Sequence, residues 1–319
     1  MVAVIKQVRH VIPISGKDSL CAALIQTARH PDLPYEFFFN DTKVELPETY
    51  TWLERVEQVK GWKIKRIGRD LREIIREEDM LPSHGVRFCT RRAKIEGMEE
   101  EYGASNVVVY YGLRADENRV GRRPSDGWTH VYPLVEAGID LRGVWIILKN
   151  QDLLPPAFFW PSLYYRVLEM LGSRAHLVEQ LEEWEFQMLF AGRTRANCAF
   201  CFYQRPYEIL WQSETHPELL WQTSWMERTT GRKRQGRFSY IDNYLPLFDE
   251  ASSGRTASYS YSFRDGYFFD EIVERRKEIL DRRAGAVCRA IGKRFECGLL
   301  GVALDSEIAM TSCGLLCGK

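Results

Sequence analysis

The stretch "VIPISGKDSLCAALI", residues 11–25, determines the predicted fold. Its first residues are apolar and β-branched, which is typical of a buried strand, and the Ala- and Leu-rich residues after Ser19 favour a helix. A tight turn, "SGKDS" at residues 15–19, joins the two. Backbone N–H groups and the positive end of the helix dipole converge at such a junction, so it attracts anions. We expect a phosphate group to bind at this turn.

An ordinary strand-to-helix turn, in which Ser15 or Asp18 caps the helix, is the simpler interpretation of the same residues. Two common phosphate-binding patterns do not decide between the interpretations. The turn lacks the second glycine of the G-x-x-x-x-G-K-[ST] loop, and it does not fit G-x-G-x-x-G.

The first half of the chain alternates between strand-like and helix-like segments. The predicted strands are "RHVIPI", "YEFFFN", "WKIKRIG", "NVVVYYGL" and "HVYPLV". The predicted helices between them are residues 18–29, "LPETYTWLERVEQVK", "DLREIIREED" and "RRAKIEGMEEEY". This alternation predicts an α/β fold whose parallel sheet is covered by helices on both faces. Ligands of such sheets bind beyond the carboxyl ends of the strands, so the 15–19 turn, Asp41 and Arg114 are expected on one edge.

From about residue 140 the pattern becomes mostly helical. The predicted helices are "DLRGVWIILKNQ", "SLYYRVLEMLG", "AHLVEQLEEWEFQMLF", "QRPYEILWQSE" and "YFFDEIVERRKEILDRR", with loops around residues 227–262. We place a domain boundary at Pro155 and Pro156. The prediction is an α/β domain at residues 1–156, followed by a helical, cysteine-bearing domain at residues 157–319.

The composition restricts the class of protein. The 319 residues carry 44 Lys plus Arg and 44 Asp plus Glu, so no overall charge draws the chain to nucleic acid or to a membrane. Charges come too early in "MVAVIKQVRHV" for a secretory signal, and the most apolar later stretch is interrupted by charges and prolines. We therefore expect a cytoplasmic protein with no membrane span. There, eight cysteines favour metal or sulfur chemistry over disulfides.

Two further segments place candidate binding residues at the same edge of the predicted sheet. "FFFNDTKVELPETY" ends a strand at Asp41 and Thr42 before Pro47 starts a helix. "YYGLRADENRVGR" ends another strand near Arg114, whose guanidinium suits a phosphate because it donates two parallel N–H groups. A helix cap and an ion-paired loop arginine are the simpler alternatives.

Cys89 lies in "GVRFCTRRAKIEGMEEEYG", at the predicted start of a helix and among four basic residues. Cations and a helix N-terminus both stabilise a thiolate, which favours a nucleophile or a metal ligand. A basic helix face with an incidental cysteine is the alternative. We expect these cations, together with Arg114, to form a positive rim beside the 15–19 turn. The four basic residues are Arg87, Arg91, Arg92 and Lys94.

Cys198 and Cys201 form a C-x-x-C, whose two sulfurs are able to reach one metal ion or cluster. Cys313 and Cys317 in "MTSCGLLCGK" are the predicted further ligands, and Cys89 with one of the tail cysteines is the alternative. An iron–sulfur cluster, a structural zinc site and free thiols all remain open from the spacing.

Five segments, in order, resemble the PP-loop ATP pyrophosphatases and among them the phosphoadenylyl-sulfate (PAPS) reductase-like branch. "ISGKDS" resembles their S-G-G-K-D-S loop, with Ser15 at the first glycine. "DTKVELPETY" is similar to DTGxELPETY, "CTRRAKI" to Cys-Thr-Arg-x-x-Lys-Ile, and "GLRADE" to GxRxxES. "DLRGVWIILKNQDLLPP" resembles the helix edVwxYIxxxxLPxxP, whose role is packing.

The resemblance implies a PP-loop sheet that binds a nucleotide with Mg²⁺. ATP phosphates are expected on the 15–19 turn, adenosine beside Asp41 and Thr42, with Arg91 and Arg114 completing the site. The turn consists of Ser15, Gly16, Lys17, Asp18 and Ser19. The expected catalytic residues are Lys17, Asp18, Cys89 and Arg114.

The superfamily contains two chemistries, of which we favour the first. In it ATP is cleaved between its α- and β-phosphates to activate an acceptor, which then receives sulfur, as in DNA phosphorothioation proteins and tRNA thiolases. The expected partners are a nucleic-acid acceptor and a sulfur donor such as a cysteine desulfurase. A 4Fe–4S cluster is the favoured centre for the cysteines, with zinc as the alternative. Basic residues in "ERTTGRKRQGRFSYIDNY" suit a polymer backbone, namely Arg232, Lys233 and Arg234.

In the second chemistry, adenylyl sulfate or PAPS is the substrate and sulfite is released. Reductases of adenylyl sulfate have a Cys-Cys pair where Thr90 follows Cys89 here. "ECGLL", at Cys297, lacks the final histidine of the "ECGLH" that carries the reductases' catalytic cysteine. A third possibility is a non-catalytic nucleotide-binding subunit of a complex.

Overall fold

A parallel sheet organises the first half of the chain. The computed structural model describes residues 8–83, 86–103, 106–117, 128–194, 198–230 and 268–297. Within them, five strands lie in the order β3-β2-β1-β4-β5, and every neighbouring pair is parallel. The strands are β1 Val8–Pro13, β2 Tyr35–Asn40, β3 Ile64–Ile67, β4 Asn106–Tyr110 and β5 Thr129–Val131.

The strand order determines where a ligand binds. The chain builds outward from β1 to β2 and β3, and then returns to the other side of β1 for β4 and β5. The crevice between β1 and β4 is therefore the point at which the winding reverses, and ligands of open α/β sheets bind there.

Helices cover the sheet and begin where the sequence favours it. Pro47 occupies the first turn of α2, whose end at Gly61 has φ 65°, and the Asp70 carboxylate caps α3 by accepting the Arg72 N–H at 2.9 Å. The first helices are α1 Lys17–Arg29, α2 Pro47–Lys60 and α3 Leu71–Glu78. They are followed by α4 Phe88–Thr90, α5 Glu96–Tyr102, α6 Pro133–Glu136 and α7 Leu141–Asn150.

A π-helical turn, Arg91–Ile95, joins α4 to α5. It lies against the end of β3, where the Ala93 carbonyl accepts the Arg69 N–H at 3.3 Å. Gly68 (φ 112°) allows this close approach, because a Cβ there would lie 2.7 Å from the Ala93 oxygen. Since π-turns concentrate at functional sites, the segment after Cys89 is a candidate for one.

The second half is helical, as predicted. Its helices are α8 Pro161–Leu171, α9 Glu183–Phe190, α10 Pro206–Thr215, α11 Pro217–Thr229, α12 Phe269–Glu274 and α13 Arg276–Cys297. The predicted single helix over residues 175–190 is instead a 3₁₀ segment, Gly172–Gln180, followed by α9. α11 was not predicted. β5 is shorter than expected because Pro133 already starts α6.

The largest hydrophobic cluster crosses the predicted boundary at residue 156. It joins Val44, Leu46, Leu71 and Trp145 of the first half to residues of α8–α13 such as Trp211. Two other clusters fill the faces of the sheet. The helical part is therefore packed directly onto the segment that follows β2. None of the described helices has both the length and the apolar character that a membrane crossing requires.

Candidate nucleotide site and thiol pair

The 15–19 turn lies at the crevice between β1 and β4. β1 leads through Gly16 directly into α1, which begins at Lys17. Gly112, just after β4, lies against this junction so closely that a Cβ would be 2.4 Å from the Ser19 backbone nitrogen. A side chain at residue 112 would therefore displace the first turn of α1. The sequence "YYGLR" did not reveal this requirement, since a glycine after a strand is also an ordinary turn residue.

Two N–H groups of the turn already converge on one oxygen. The Ser19 hydroxyl accepts the N–H groups of Ser15 at 2.8 Å and Gly16 at 3.1 Å, and it donates to the Gly16 carbonyl at 2.9 Å. A concave pair of N–H groups around an oxygen is the arrangement that binds a phosphate oxygen. The first N–H groups of α1 have no intrahelical acceptor and point the same way.

Arg114 is a buried cation, 7% exposed, that three carboxylates surround. Its guanidinium lies 3.1 Å from Asp18, 2.9 Å from Asp116 and 3.4 Å from Glu117. Burial alone would lower the pKa of Arg114, but these carboxylates outweigh burial and raise it. Arg114 therefore orients the Asp18 side chain in the absence of a ligand.

The described charged side chains beside the turn carry a net negative charge. Among the described side chains, Lys17, 3.6 Å from Asp18, is the second cation near the three carboxylates. One Asp18 oxygen, Oδ1, is buried and accepts no hydrogen bond from any described residue. A carboxylate oxygen in this condition is suited to a hard cation such as Mg²⁺.

Asp41 and Thr42 lie after β2, at the same edge of the sheet. Asp41 is buried and accepts the Lys43 N–H at 2.9 Å, the Lys43 ammonium at 2.6 Å and the Tyr50 hydroxyl at 2.8 Å. Burial, and then the Asp41 carboxylate, raise the pKa of Tyr50. A cleft of about 710 Å³ opens here; its lining includes Asp41, Lys43, Tyr50, Gly68, Arg69, Asp70, Arg72 and Glu73.

Thr42 is turned away from this cleft towards Glu45. Its hydroxyl donates to the Glu45 carboxylate at 2.6 Å, and both side chains are buried. Burial raises the pKa of Glu45, while the positive charges of Lys94 and Arg193 oppose that rise. The charge of Glu45 is thus influenced by the π-turn and by the segment before Cys198. Sequence reasoning gave Glu45 no role, although this residue lies within the "DTKVELPETY" segment.

The predicted positive rim is largely paired with carboxylates. Arg91, whose side chain is 59% exposed, lies 3.0 Å from Glu99, and Arg92 pairs with Glu77 and Glu78. Arg87 stacks over the Tyr203 ring at 5.2 Å. The cations around Cys89 therefore connect this segment to α3, to α5 and to Tyr203, which follows the C-x-x-C.

Cys198 and Cys201 form the two ends of a tight turn, in which the Cys201 N–H donates to the Cys198 carbonyl at 3.2 Å. Cys201 is 3% exposed, and Cys89 and Cys198 pack against the same hydrophobic cluster. Within the described parts of the chain, no three His, Cys, Asp or Glu side chains are grouped to hold a metal. Outside them lie Cys313, Cys317, Arg232, Lys233 and Arg234.

The comparisons agree with the motifs. Residues 9–128 match the phosphoadenosine phosphosulfate reductase domain, which confirms the predicted resemblance to the PAPS-reductase-like branch of PP-loop proteins. The match covers 120 of the 319 residues, so the similarity to that branch is shown for this part of the chain.

Two individual proteins are similar over part of their length. The uncharacterized protein MJ0066 of Methanocaldococcus jannaschii is 29% identical over 155 residues, which is 47% of this chain and 28% of that protein. The match therefore spans little more than a quarter of that relative. A crystal structure of PAPS reductase from Candida auris, in a phosphate complex, is 16% identical with a TM-score of 0.35, and covers 48% of this chain and 77% of that one.

Proposed function

We propose that the protein is a PP-loop ATP pyrophosphatase that activates an acceptor, preferably a nucleic acid, for sulfur incorporation. The observation that carries the proposal is the 15–19 turn at the β1–β4 crevice, with a buried Asp18 oxygen beside it that accepts no hydrogen bond from the described residues. The phosphates of ATP would lie on this turn, and adenosine would extend towards Asp41 and the cleft after β2.

The charge balance favours a metal–nucleotide complex. The described side chains beside the turn comprise three carboxylates and two cations, which would repel a bare polyphosphate. Asp18 fits Mg²⁺ as a ligand through its available Oδ1. When bound, Mg²⁺ would offset the charge that develops on the leaving pyrophosphate. This requirement supports ATP over adenylyl sulfate or PAPS, which carry no such triphosphate.

The chain's own groups then have distinct roles. The N–H groups of Ser15 and Gly16 would transfer their hydrogen bonds from the Ser19 hydroxyl to a phosphate oxygen. The Lys17 ammonium would pair with the same phosphates, and Arg114 would keep Asp18 in place. An acceptor oxygen attacks the α-phosphorus, the bond to the β-phosphate oxygen breaks, and pyrophosphate leaves with its electron pair. A sulfur nucleophile later displaces AMP from the adenylylated acceptor.

The thiol pair fits a soft metal. Cys198 and Cys201 present two sulfurs from one turn, and thiolates are the ligands of zinc and of iron–sulfur clusters. We propose a 4Fe–4S cluster here, with zinc as the alternative, and Cys313 and Cys317 as the further ligands. Cys89 packs against the same hydrophobic cluster as Cys198, which favours its action at this centre as nucleophile or ligand.

A reductase that releases sulfite from PAPS is the second candidate. It is favoured by the domain match, whose printed family is that of PAPS reductase. In that case the thiolate of Cys89 or Cys297 would attack the sulfate sulfur. The sulfur–oxygen bond to the nucleotide would break and leave an S-sulfonated cysteine. A second thiolate would then attack the cysteine sulfur, so that a disulfide forms and sulfite leaves with the electron pair of the broken sulfur–sulfur bond.

The test is pyrophosphate release. Anaerobically purified protein is incubated with Mg²⁺–ATP and candidate acceptors, and pyrophosphate and AMP are quantified. Lys17→Ala should abolish turnover. Lys149→Ala is the matched control, since Lys149 is exposed and pairs with Glu183, and it should leave turnover unchanged.

The same preparation separates the alternatives. Binding of short DNA or RNA should fall log-linearly with salt concentration, because each phosphate contact releases counterions. Sulfite release from PAPS without polymer binding would show that the protein is a reductase and not a pyrophosphatase. ATP binding without turnover in the presence of every acceptor tested would show that the protein is a non-catalytic nucleotide-binding subunit.

A further inference from the structure

A buried guanidinium lies beside the C-x-x-C turn. Arg193 is 1% exposed, and its Nη2 donates to the carbonyl oxygen of Cys198 at 2.9 Å. The turn is also held from other sides. The Ala199 N–H donates to the Val44 carbonyl at 2.7 Å, and the Gln204 amide donates to the Ala199 carbonyl at 3.1 Å. Both sulfurs therefore sit on a backbone that is fixed before any ligand binds.

A carbonyl acceptor does not explain why the donor is an arginine. Gln204 satisfies the neighbouring carbonyl with a neutral amide. A guanidinium at this depth loses its hydration, and nearby negative charge is needed to compensate that loss. The position therefore points to anionic groups around Arg193.

The groups whose charge acts on Arg193 are two carboxylates and the two sulfurs, namely Glu208, Cys198, Cys201 and Glu45. Both carboxylates already accept hydrogen bonds from other groups. Glu45 accepts the Thr42 hydroxyl and is also within the influence of Lys94. Glu208 accepts the Arg205 N–H at 2.8 Å through one oxygen, while its other oxygen is buried without a hydrogen bond from any described residue.

Another buried thiol has the opposite surroundings. Cys21, in α1, is fully buried with the Asp18 carboxylate as its nearby charge, and burial followed by that carboxylate raises the pKa of Cys21 to about 12. Such a thiol stays neutral. The guanidinium beside Cys198 and Cys201 thus distinguishes that pair from Cys21.

We propose that Arg193 is a positioning residue for a metal centre on Cys198 and Cys201. It fixes the turn through the Cys198 carbonyl, and its charge stabilises the metal-bound thiolates. The inference deepens the proposed function, since it rests on the metal centre proposed there. Partners of this kind, which touch the ligands and not the metal, typically contribute 10- to 100-fold in metal affinity.

The test is cadmium binding to the full-length, reduced, metal-free protein. Binding is measured from the cadmium–thiolate absorption while a chelator competes for the metal. Arg193→Gln should weaken cadmium binding by about tenfold or more, and Arg193→Lys should be intermediate. Arg283→Gln is the matched control. Arg283 is also buried, donates to the Leu189 carbonyl at 3.4 Å and stacks over Tyr207, so its loss should leave cadmium affinity unchanged.

Melting curves and ATP binding report whether each variant is folded. Should Arg193→Gln fail to fold, the double variant Arg193→Gln/Glu208→Gln removes one buried charge of each sign and should restore folding with weak cadmium binding. A folded Arg193→Gln protein, or folded double variant, with wild-type cadmium affinity overturns the inference alone. A wild-type protein without a cadmium–thiolate band overturns the metal centre of the proposed function as well.

Discussion

The sheet edge at the 15–19 turn and the C-x-x-C turn hold their charges in opposite ways. At the sheet edge, Arg114 faces more carboxylates than the described cations balance, and an Asp18 oxygen is left available. At the C-x-x-C turn, Arg193 is fully buried among charges of both signs. The first arrangement suits a charged ligand that arrives from solvent and leaves again. The second arrangement suits a group that remains bound, such as a metal centre.

The largest effect should come from the loss of the Arg114 cation. Arg114→Gln leaves Asp18, Asp116 and Glu117 without their common partner, and we expect the free energy of unfolding to fall by on the order of 3 kcal/mol. Nucleotide affinity should fall as well, because Asp18 loses its orientation. Urea denaturation and ATP titration measure the two quantities.

Arg91→Gln is the control for this prediction. Arg91 was predicted to bind the nucleotide, but its exposed side chain pairs with Glu99, and its loss should cost less than about 1 kcal/mol. Wild-type stability in Arg114→Gln would contradict the first expectation. A loss of ATP affinity in Arg91→Gln would support the predicted nucleotide-binding role of Arg91.

Two glycines allow the two regions to be perturbed separately. A Cβ at Gly112 would lie 2.4 Å from the Ser19 nitrogen, and a Cβ at Gly192 would lie 2.0 Å from the Trp211 ring. Both alanine variants should lose about 1–3 kcal/mol of stability through overpacking. Gly112→Ala should also weaken ATP binding, whereas folded Gly192→Ala should not.

Gly285→Ala supplies the reference for this pair, because its Cβ meets its nearest neighbour at an ordinary 3.6 Å. Replacement of a helical glycine by alanine should raise stability by about 0.5–1 kcal/mol. Equal ATP affinity in Gly112→Ala and wild type would show that the turn does not depend on the contact with β4.

The two regions also differ in how much the sequence predicted. The parallel sheet and the position of the 15–19 turn at its edge followed from the alternation, because the carboxyl ends of parallel strands meet at one edge. α11 was missed because few apolar residues of that helix are buried, so its hydrophobic periodicity is weak. Pro217 gave no warning either, since a proline suits a helix start as well as a loop.

Side-chain partners were the least predictable feature. Arg91, Arg92 and Arg114 were recognised as important cations, but their pairing with carboxylates depends on which helix faces meet in the folded chain. Arg193 lacked any signal, and Glu45 was given no role although it lies in "DTKVELPETY", because charged residues are usually exposed and burial is decided by distant segments. A local pattern predicts local structure and cannot specify such contacts.

The smallest expected effect compares two helix caps. Asp70 caps α3 beside the cleft and pairs with Arg72 at 2.7 Å, whereas Asp140 caps α7 through the Gly143 N–H at 2.8 Å. Each alanine variant should lose about 1 kcal/mol near neutral pH. Burial alone would raise the pKa of Asp70, but Arg72 outweighs burial and lowers it.

The lowered pKa gives Asp70 a defined pH dependence. Its ionised form stabilises the fold above the pKa of an unfolded aspartate, about 3.9, and that contribution is lost as the pH falls through the lower folded value. The stability difference between wild type and Asp70→Ala should therefore be constant between about pH 5 and 8 and shrink below about pH 4. Urea denaturation across this range measures it, with Asp140→Ala as the cap-only reference. A difference that grows in acid would mean that Asp70 is protonated more readily in the folded chain, and Arg72 would then not be its effective partner.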